Sequence, residues 1–303
     1  MFRNAQLSAH AALFLVNTLY GASHVVAKDV LGKYLEPSVF ILFRVSGAVV
    51  LFWFIRLCFQ NEKVAKKDLG LLALCGLFGV AINQLFFFYG LHYSSAINSG
   101  IIMAANPIMV LILSYFILKE KISWMKMLGI FIGATGVILL TLQSAATTTQ
   151  ASWGDSFLFI NALSYALYLV LAKPLMKKYA PMTVITYVFS FGLFFVLLFP
   201  PTLSNLIQTP FSTFPLEIWL KIIYVIVGVT FLTYLLTMYG LKHLSPSVSS
   251  VYIYIQPVMV ILFAYLFVQM GISADQTKAI TWIKILLMLV IFLGVFLTTR
   301  KSK

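Results

Sequence analysis

Three polar side chains, Asn17, Tyr20 and His24, stand at i, i+3 and i+7 of one apolar stretch, so a helix there puts an amide, a phenol and an imidazole on a single face. A second stretch repeats the theme with Asn161, Tyr165 and Tyr168 at i, i+4 and i+7. Asn83 and Phe87 share a face in a third stretch, and Thr230, Tyr234 and Thr237 in a fourth. Two more amides, Asn106 and Gln256, directly precede Pro107 and Pro257. Groups of this kind hold a small ligand by hydrogen bonds and aromatic contact; they supply no nucleophile and no acid–base pair. His10, His24, His92 and His243 are scattered, and Cys58 and Cys75 form neither a CxxC nor a ligand pattern. We therefore expect no catalytic residues, no metal and no cofactor.

Each proline removes a backbone donor and frees the carbonyl four residues earlier, on Met103 and Ile253. Paired kinks at equivalent depths would shape a site and serve as hinges, or simply bend the helices. Arg44 is the one strong charge inside an apolar run. The expected role is an anchor, snorkelling to the interface or pairing with Asp155 or Glu36; the alternative is attraction of an anionic substrate group. No Asp or Glu falls near the centre of any apolar run, and membrane carboxylates are the usual proton carriers. His24 is left as the titratable candidate, so a facilitator is at least as well supported as proton coupling.

The elements that position these residues follow from composition. Of 303 residues, 61% are apolar and 10% charged, too little charge to cover a water-facing surface, so lipid is the expected solvent. Ten runs are long enough to cross a bilayer: roughly 10–27, 38–58, 69–89, 97–118, 124–143, 152–171, 182–200, 217–239, 247–268 and 281–299. The first run lacks a charged start and a small-residue cleavage site, and reads as a retained span. Lys and Arg number 21 against 8 Asp and Glu, and they sit in short connections, which argues for the positive-inside effect and against nucleic acid. With the N-terminus inside, 15 basic residues fall on the inner side and five on the outer, which places both termini in the cytoplasm.

The chain also repeats itself. Tyr89-Gly90-Leu91 recurs as Tyr239-Gly240-Leu241, and Pro107-Ile108-Met109-Val110 as Pro257-Val258-Met259-Val260. Trp124-Met125-Lys126 matches Trp282-Ile283-Lys284, Gly136 stands opposite Gly294, Asn17 opposite Asn161, and Ala27-Lys28 opposite Ala172-Lys173. Five helices per copy is an odd number, so the second copy enters the membrane from the other side. We expect an all-α integral membrane protein: ten transmembrane helices as two inverted five-helix repeats around a central cavity. Residues 1–143 form the first repeat, 144–151 a polar linker and 152–303 the second.

Several of these residues resemble a known family. Tyr20-Gly21-Ala22-Ser23-His24-Val25-Val26-Ala27-Lys28 is similar to the first-helix signature of EamA-type carriers in the drug/metabolite transporter superfamily, with Tyr20 where Trp is usual. Arg44 matches the family's second-helix arginine. Asn106-Pro107 through Leu118-Lys119-Glu120, then Gly129 and Gly136, resembles its fourth-to-fifth helix block. Gly154-Asp155 followed by Ser164-Tyr165-Ala166-Leu167-Tyr168 resembles the start of its second repeat. In the second copy Met270 replaces the glutamate and Leu287 the packing glycine. The resemblance implies a ten-helix carrier in a bacterial inner membrane, its helices 1, 3, 4, 6, 8 and 9 enclosing the cavity. It implies a small-molecule substrate, amino acids or related zwitterions first, with nucleotide-sugar, lipid or drug carriage and, more remotely, a membrane enzyme as alternatives. The oligomeric state stays open, and a monomer is compatible with all of this.

Overall fold

A computed structural model describes residues 2–59, 62–119, 123–145, 149–244, 246–275 and 280–299. In hydrocarbon every backbone donor and acceptor has to be satisfied internally, which leaves helices as the form available to apolar runs of this length. Ten helical rods result: α1 Phe2–Val30, α2 Pro37–Phe59, α3 Lys66–Tyr93, α4 Ala96–Leu118, α5 Trp124–Ala145, α6 Thr149–Met176, α7 Pro181–Leu198, α8 Leu216–His243, α9 246–269 and α10 Trp282–Thr299. A short helix, Pro201–Gln208, fills the connection between α7 and α8. Pro37, Pro181 and Pro246 each open a helix, where a missing N–H costs nothing. Lys119, in left-handed backbone with φ 56°, terminates α4, and Gly271 with φ 67° follows the end of α9. The central linker residues 146–148 and Glu120 lie outside the described residues; 144–145 and 149–151 are helical.

By length and apolar content alone, seven of the described rods qualify as membrane spans, with shorter apolar helices at Met127–Leu140 and Trp282–Gly294. α1 is not among them, because it carries Asn17, His24 and Lys28, whose partners lie inside the bundle. The outer surface is apolar: Phe116 is 71% exposed, Phe131 72% and Trp282 86%. A surface of this kind is stable only against lipid.

The two repeats interlock. α1 packs between α8 and α9, and α6 packs between α3 and α4; likewise α2 meets α7 and α8, and α3 meets α7. Specific contacts obey the inverted symmetry. Lys28 Nζ donates to the carbonyls of Leu91, His92 and Ser94 at the end of α3, and Lys173 Nζ to those of Leu241 and Leu244 at the end of α8. Gly90 abuts Leu158 as Gly240 abuts Leu13. α3 contains a π-helical turn at Leu77–Ala81 and α8 one at Val225–Leu232, 150 residues apart in register. These pairings place α1 and α6 at an offset of 145, which corrects the sequence match of Asn17 to Asn161. Asn17 is equivalent to Ala162, and Tyr20 to Tyr165: Gln256 donates to the Asn17 side chain at 2.8 Å where Asn106 donates to the Ala162 carbonyl at 2.6 Å.

α5 and α10 pair with each other at the edge of the bundle. A Cβ on Gly294 would lie 2.4 Å from Gly133 N and 2.7 Å from Gly129 O, backbone atoms that cannot rotate away. Gly294→Ala is therefore expected to cost about 1–3 kcal/mol by forcing the helices apart. Gly70→Ala, with open space around its Cβ, is the control and should be neutral or mildly stabilising. Thermal melting of the purified variants checks this; equal transitions for the two would refute it.

Candidate functional site: a polar cavity between the repeats

Both π-turns lie where the chain meets the centre of the bundle. Such turns add a residue to a helical turn and often mark functional positions. The one in α3 precedes Asn83 and Gln84; the one in α8 contains Thr230 and precedes Tyr234. α4 breaks at Ala104–Ala105, one turn before Pro107, and α9 has a 3-10 turn at Tyr252–Tyr254 before Pro257. The interruptions surround a cavity that encloses about 530 Å³ of non-atom space, its mouth included.

α1 contributes Tyr20, Ser23 and His24 to the wall, α2 Arg44, and α3 Asn83, Gln84, Phe87 and Phe88. Met103 comes from α4, Asn161 and Tyr165 from α6, Tyr234 from α8, and Ile253 and Gln256 from α9. Tyr20 and Tyr165, Gln84 and Tyr234, and Met103 and Ile253 are equivalent pairs, so much of the lining is twofold. Arg44 and His24 break that symmetry: the positions matching them are Phe189 and Leu169.

Arg44 is 4% exposed. Its Nε donates to Thr230 Oγ1 at 2.9 Å, and its guanidinium lies 4.6 Å from the centre of the Phe88 ring. The hydroxyl of Thr230 in turn donates to the Val225 carbonyl across the π-turn, at 2.7 Å. Among the described residues the two terminal nitrogens of Arg44 have no partner, and no carboxylate pairs with it. The expected pairing with Asp155 or Glu36 is therefore not made. Asp155 receives Ser94 Oγ and the Asn98 amide, at 3.1 Å to Oδ2, and ties the start of α6 to the α3–α4 turn.

The amides divide into structural and free atoms. Asn161 Nδ2 donates to the Asn83 carbonyl at 2.6 Å, and Tyr234 donates to Gly79 O at 3.1 Å and Asn83 Oδ1 at 3.3 Å. The Asn161 side-chain oxygen has no partner. Gln84 is 2% exposed and approaches Tyr234, yet neither end of its amide makes a hydrogen bond. Unpartnered buried polar atoms cost stability, and those of Gln84 and Asn161 belong to residues that line this cavity. His24 Nδ1 lies 2.6 Å from Ser99 Oγ, whose proton goes to the Ala96 carbonyl; the imidazole must therefore donate from Nδ1. Phe87 meets the His24 ring edge-on at 5.0 Å.

Of the residues singled out as candidates for a substrate cavity, Tyr20, His24, Asn83, Phe87, Met103, Asn161, Tyr165, Tyr234 and Gln256 come together here. Asn17, Asn106 and Tyr168 do not. The first two make the interhelical contacts described above, and Tyr168 is fully buried with its hydroxyl 3.3 Å from Met238 Sδ. Sequence reasoning missed Ser23, Gln84, Phe88 and Ile253. Gln84 sits one position beyond the Asn83 stripe, and both line the cavity just after the π-turn. Among the described residues no group of three or more His, Cys, Asp or Glu could hold a metal ion.

At the end of the bundle that carries the N-terminus, the α2–α3 and α6–α7 connections are tied together. Asp68 accepts Lys178 Nζ at 2.7 Å and Tyr179 OH at 2.7 Å, and Glu62 accepts the Ala180 amide at 3.0 Å. The Asp68 carboxylate raises the Lys178 ammonium above its ordinary pKa. At the opposite end the residue equivalent to Tyr179, Tyr34, packs on Phe214, and Asp29 meets Lys221 at 3.3 Å.

Known proteins agree with this architecture. A Bacillus subtilis protein named uncharacterized transporter YyaM is 28% identical over 270 residues, 86% of each chain. An uncharacterized transporter of Archaeoglobus fulgidus is 25% identical over 300 residues, 97% of this chain and 98% of that one. A probable terminal-alkyne amino-acid exporter of Streptantibioticus cattleyicolor is 22% identical over 200 residues, 66% of this chain and 65% of its own. One solved structure, titled only as a crystal structure of protein, superposes with a TM-score of 0.65 at 18% identity, over 99% of this chain and 98% of that one, and so shares the fold. The EamA-like transporter family matches residues 7–142 and 152–300, nearly the whole of both halves. With ten helices, an internal repeat and a polar cavity between the copies, the chain belongs to the EamA-like transporter family.

Proposed function

We propose that the protein is a secondary carrier that moves small metabolites with a carboxylate head, amino acids and related compounds among them, by alternating access between its two repeats, 1–143 and 152–303. The carrying observation is Arg44: a buried guanidinium with both terminal nitrogens unpartnered, at the wall of a cavity built from both repeats. A guanidinium fork matches a carboxylate in two parallel hydrogen bonds. Tyr20, Phe87 and Tyr165 offer aromatic surface to an apolar side chain, and the free amide atoms of Gln84 and Asn161 offer polar contacts. The name of the Streptantibioticus relative points the same way. A nucleotide sugar fits less well, since two phosphates would meet one guanidinium. The excess of basic connections at the N-terminal end supports a bacterial inner-membrane carrier with both termini in the cytoplasm. Uptake of labelled leucine and phenylalanine into liposomes holding the purified protein is the test. Flux no greater than in empty liposomes would end this reading for amino acids.

A further inference from the structure

Resting on that carrier reading, we infer that net charge selects the cargo: small organic anions bearing one negative charge are preferred over zwitterionic amino acids of the same shape. The lining holds one fixed positive charge, Arg44, and among its described residues no aspartate or glutamate. Arg44 touches Thr230 and Phe88 and interacts electrostatically with Tyr20 and Tyr234, all uncharged at neutral pH. His24 is the other lining residue able to carry charge, and it can only add a positive one. The sign of the selection is therefore the same in either of its protonation states.

A zwitterion seated by its carboxylate on Arg44 brings an ammonium two bonds from that carboxylate, into the field of the same guanidinium. The acceptors without a protein partner on the lining residues are neutral, the oxygens of Gln84 and Asn161. The occluded site then keeps a net positive charge in surroundings of low dielectric, which is costly. A monoanion leaves the occluded site neutral. The same amide and phenol groups that would serve an ammonium also serve a keto or hydroxyl oxygen, because Gln84 presents an unpaired N–H end as well.

The experiment compares leucine with 4-methyl-2-oxopentanoate, its 2-oxo acid, and with leucine amide, which has no carboxylate, as labelled substrates in liposomes containing the full chain. Empty liposomes are subtracted. The expected result is half-saturation by the oxo acid at a concentration roughly tenfold or more below that of leucine, with no flux of the amide. Arg44→Gln should erase the difference, and Arg44→Lys, which keeps the charge but not the fork, should retain a smaller one. If leucine saturates at an equal or lower concentration, charge selection is wrong and the carrier reading stands. If none of the three exceeds empty liposomes, both fall. A preference that survives Arg44→Gln also overturns the inference, because selection would then reside elsewhere; should that variant fail to fold, the oxo acid to leucine ratio in wild type and Arg44→Lys decides.

Discussion

Lys28→Met is expected to destabilise the protein by about 2–4 kcal/mol, and Lys173→Met by a similar amount. A helix leaves its last four carbonyls without internal partners, and at membrane depth little water is present to take them. Lys28 gathers three such acceptors from the end of α3, Leu91 O at 2.6 Å, His92 O at 2.8 Å and Ser94 O at 2.6 Å. Lys173 binds Leu241 O at 2.7 Å and Leu244 O at 2.6 Å at the end of α8. In both places a cation meets the negative end of a helix dipole. Methionine keeps most of the apolar stem, so the substitution isolates the ammonium from the packing. The two sites lie at opposite faces of the bundle and share no partner, so the double variant should lose roughly the sum. Thermal transitions of the three variants, measured at fixed detergent, check the claim. A Lys28→Met protein that melts with wild type would show that these carbonyls are hydrated in the native state.

The same pair shows what sequence could and could not disclose. Lys28 and Lys173 stood out because a lysine closing an apolar run is rare enough to mark a repeat. The ten helices were legible for a similar reason, since lipid leaves a run of apolar residues few alternatives. The partner of Arg44 was not legible. Thr230 is 186 positions away, and it arrives only because α8 of one repeat is threaded against α2 of the other. The π-turns carry no hydropathy signal, and Gln84, outside the stripe of Asn83 and Phe87, was not picked out. The pairing of Asn17 with Asn161 failed through attraction of like for like: matching two amides overrode the one-residue shift that Leu13 with Leu158 and Lys28 with Lys173 both require. Asn17, Asn106 and Tyr168 fell at helical spacing with true lining residues, yet spacing fixes a face and not what that face meets.

Asp68→Asn should speed alkylation of Cys75 by about tenfold or more in a Cys58→Ser background. Cys58 is exposed and would mask the signal, whereas Cys75 is buried in the N-terminal half of α3. Between the cavity and that end of the bundle lie Tyr168, Phe189, Phe52 and Leu72, all fully buried, so a reagent reaches Cys75 only when this half opens. The contact that ties this half together at the surface is the bridge of α2–α3 to α6–α7 through Asp68. The ion pair alone would count for little, because Lys178 is half exposed. The carboxylate, however, is nearly buried and also receives Tyr179 OH, which itself accepts the Ala65 amide at 3.2 Å. Asparagine loses the charge, and its nitrogen faces a donor, so the hydrogen bonds from Lys178 and Tyr179 cannot both persist. The equivalent contact at the other end, Tyr34 on Phe214, is apolar and unaffected. Maleimide labelling rates followed by mass spectrometry give the answer. An unchanged rate in a variant whose melting temperature has fallen would mean that the bridge is structural and that the gate lies elsewhere.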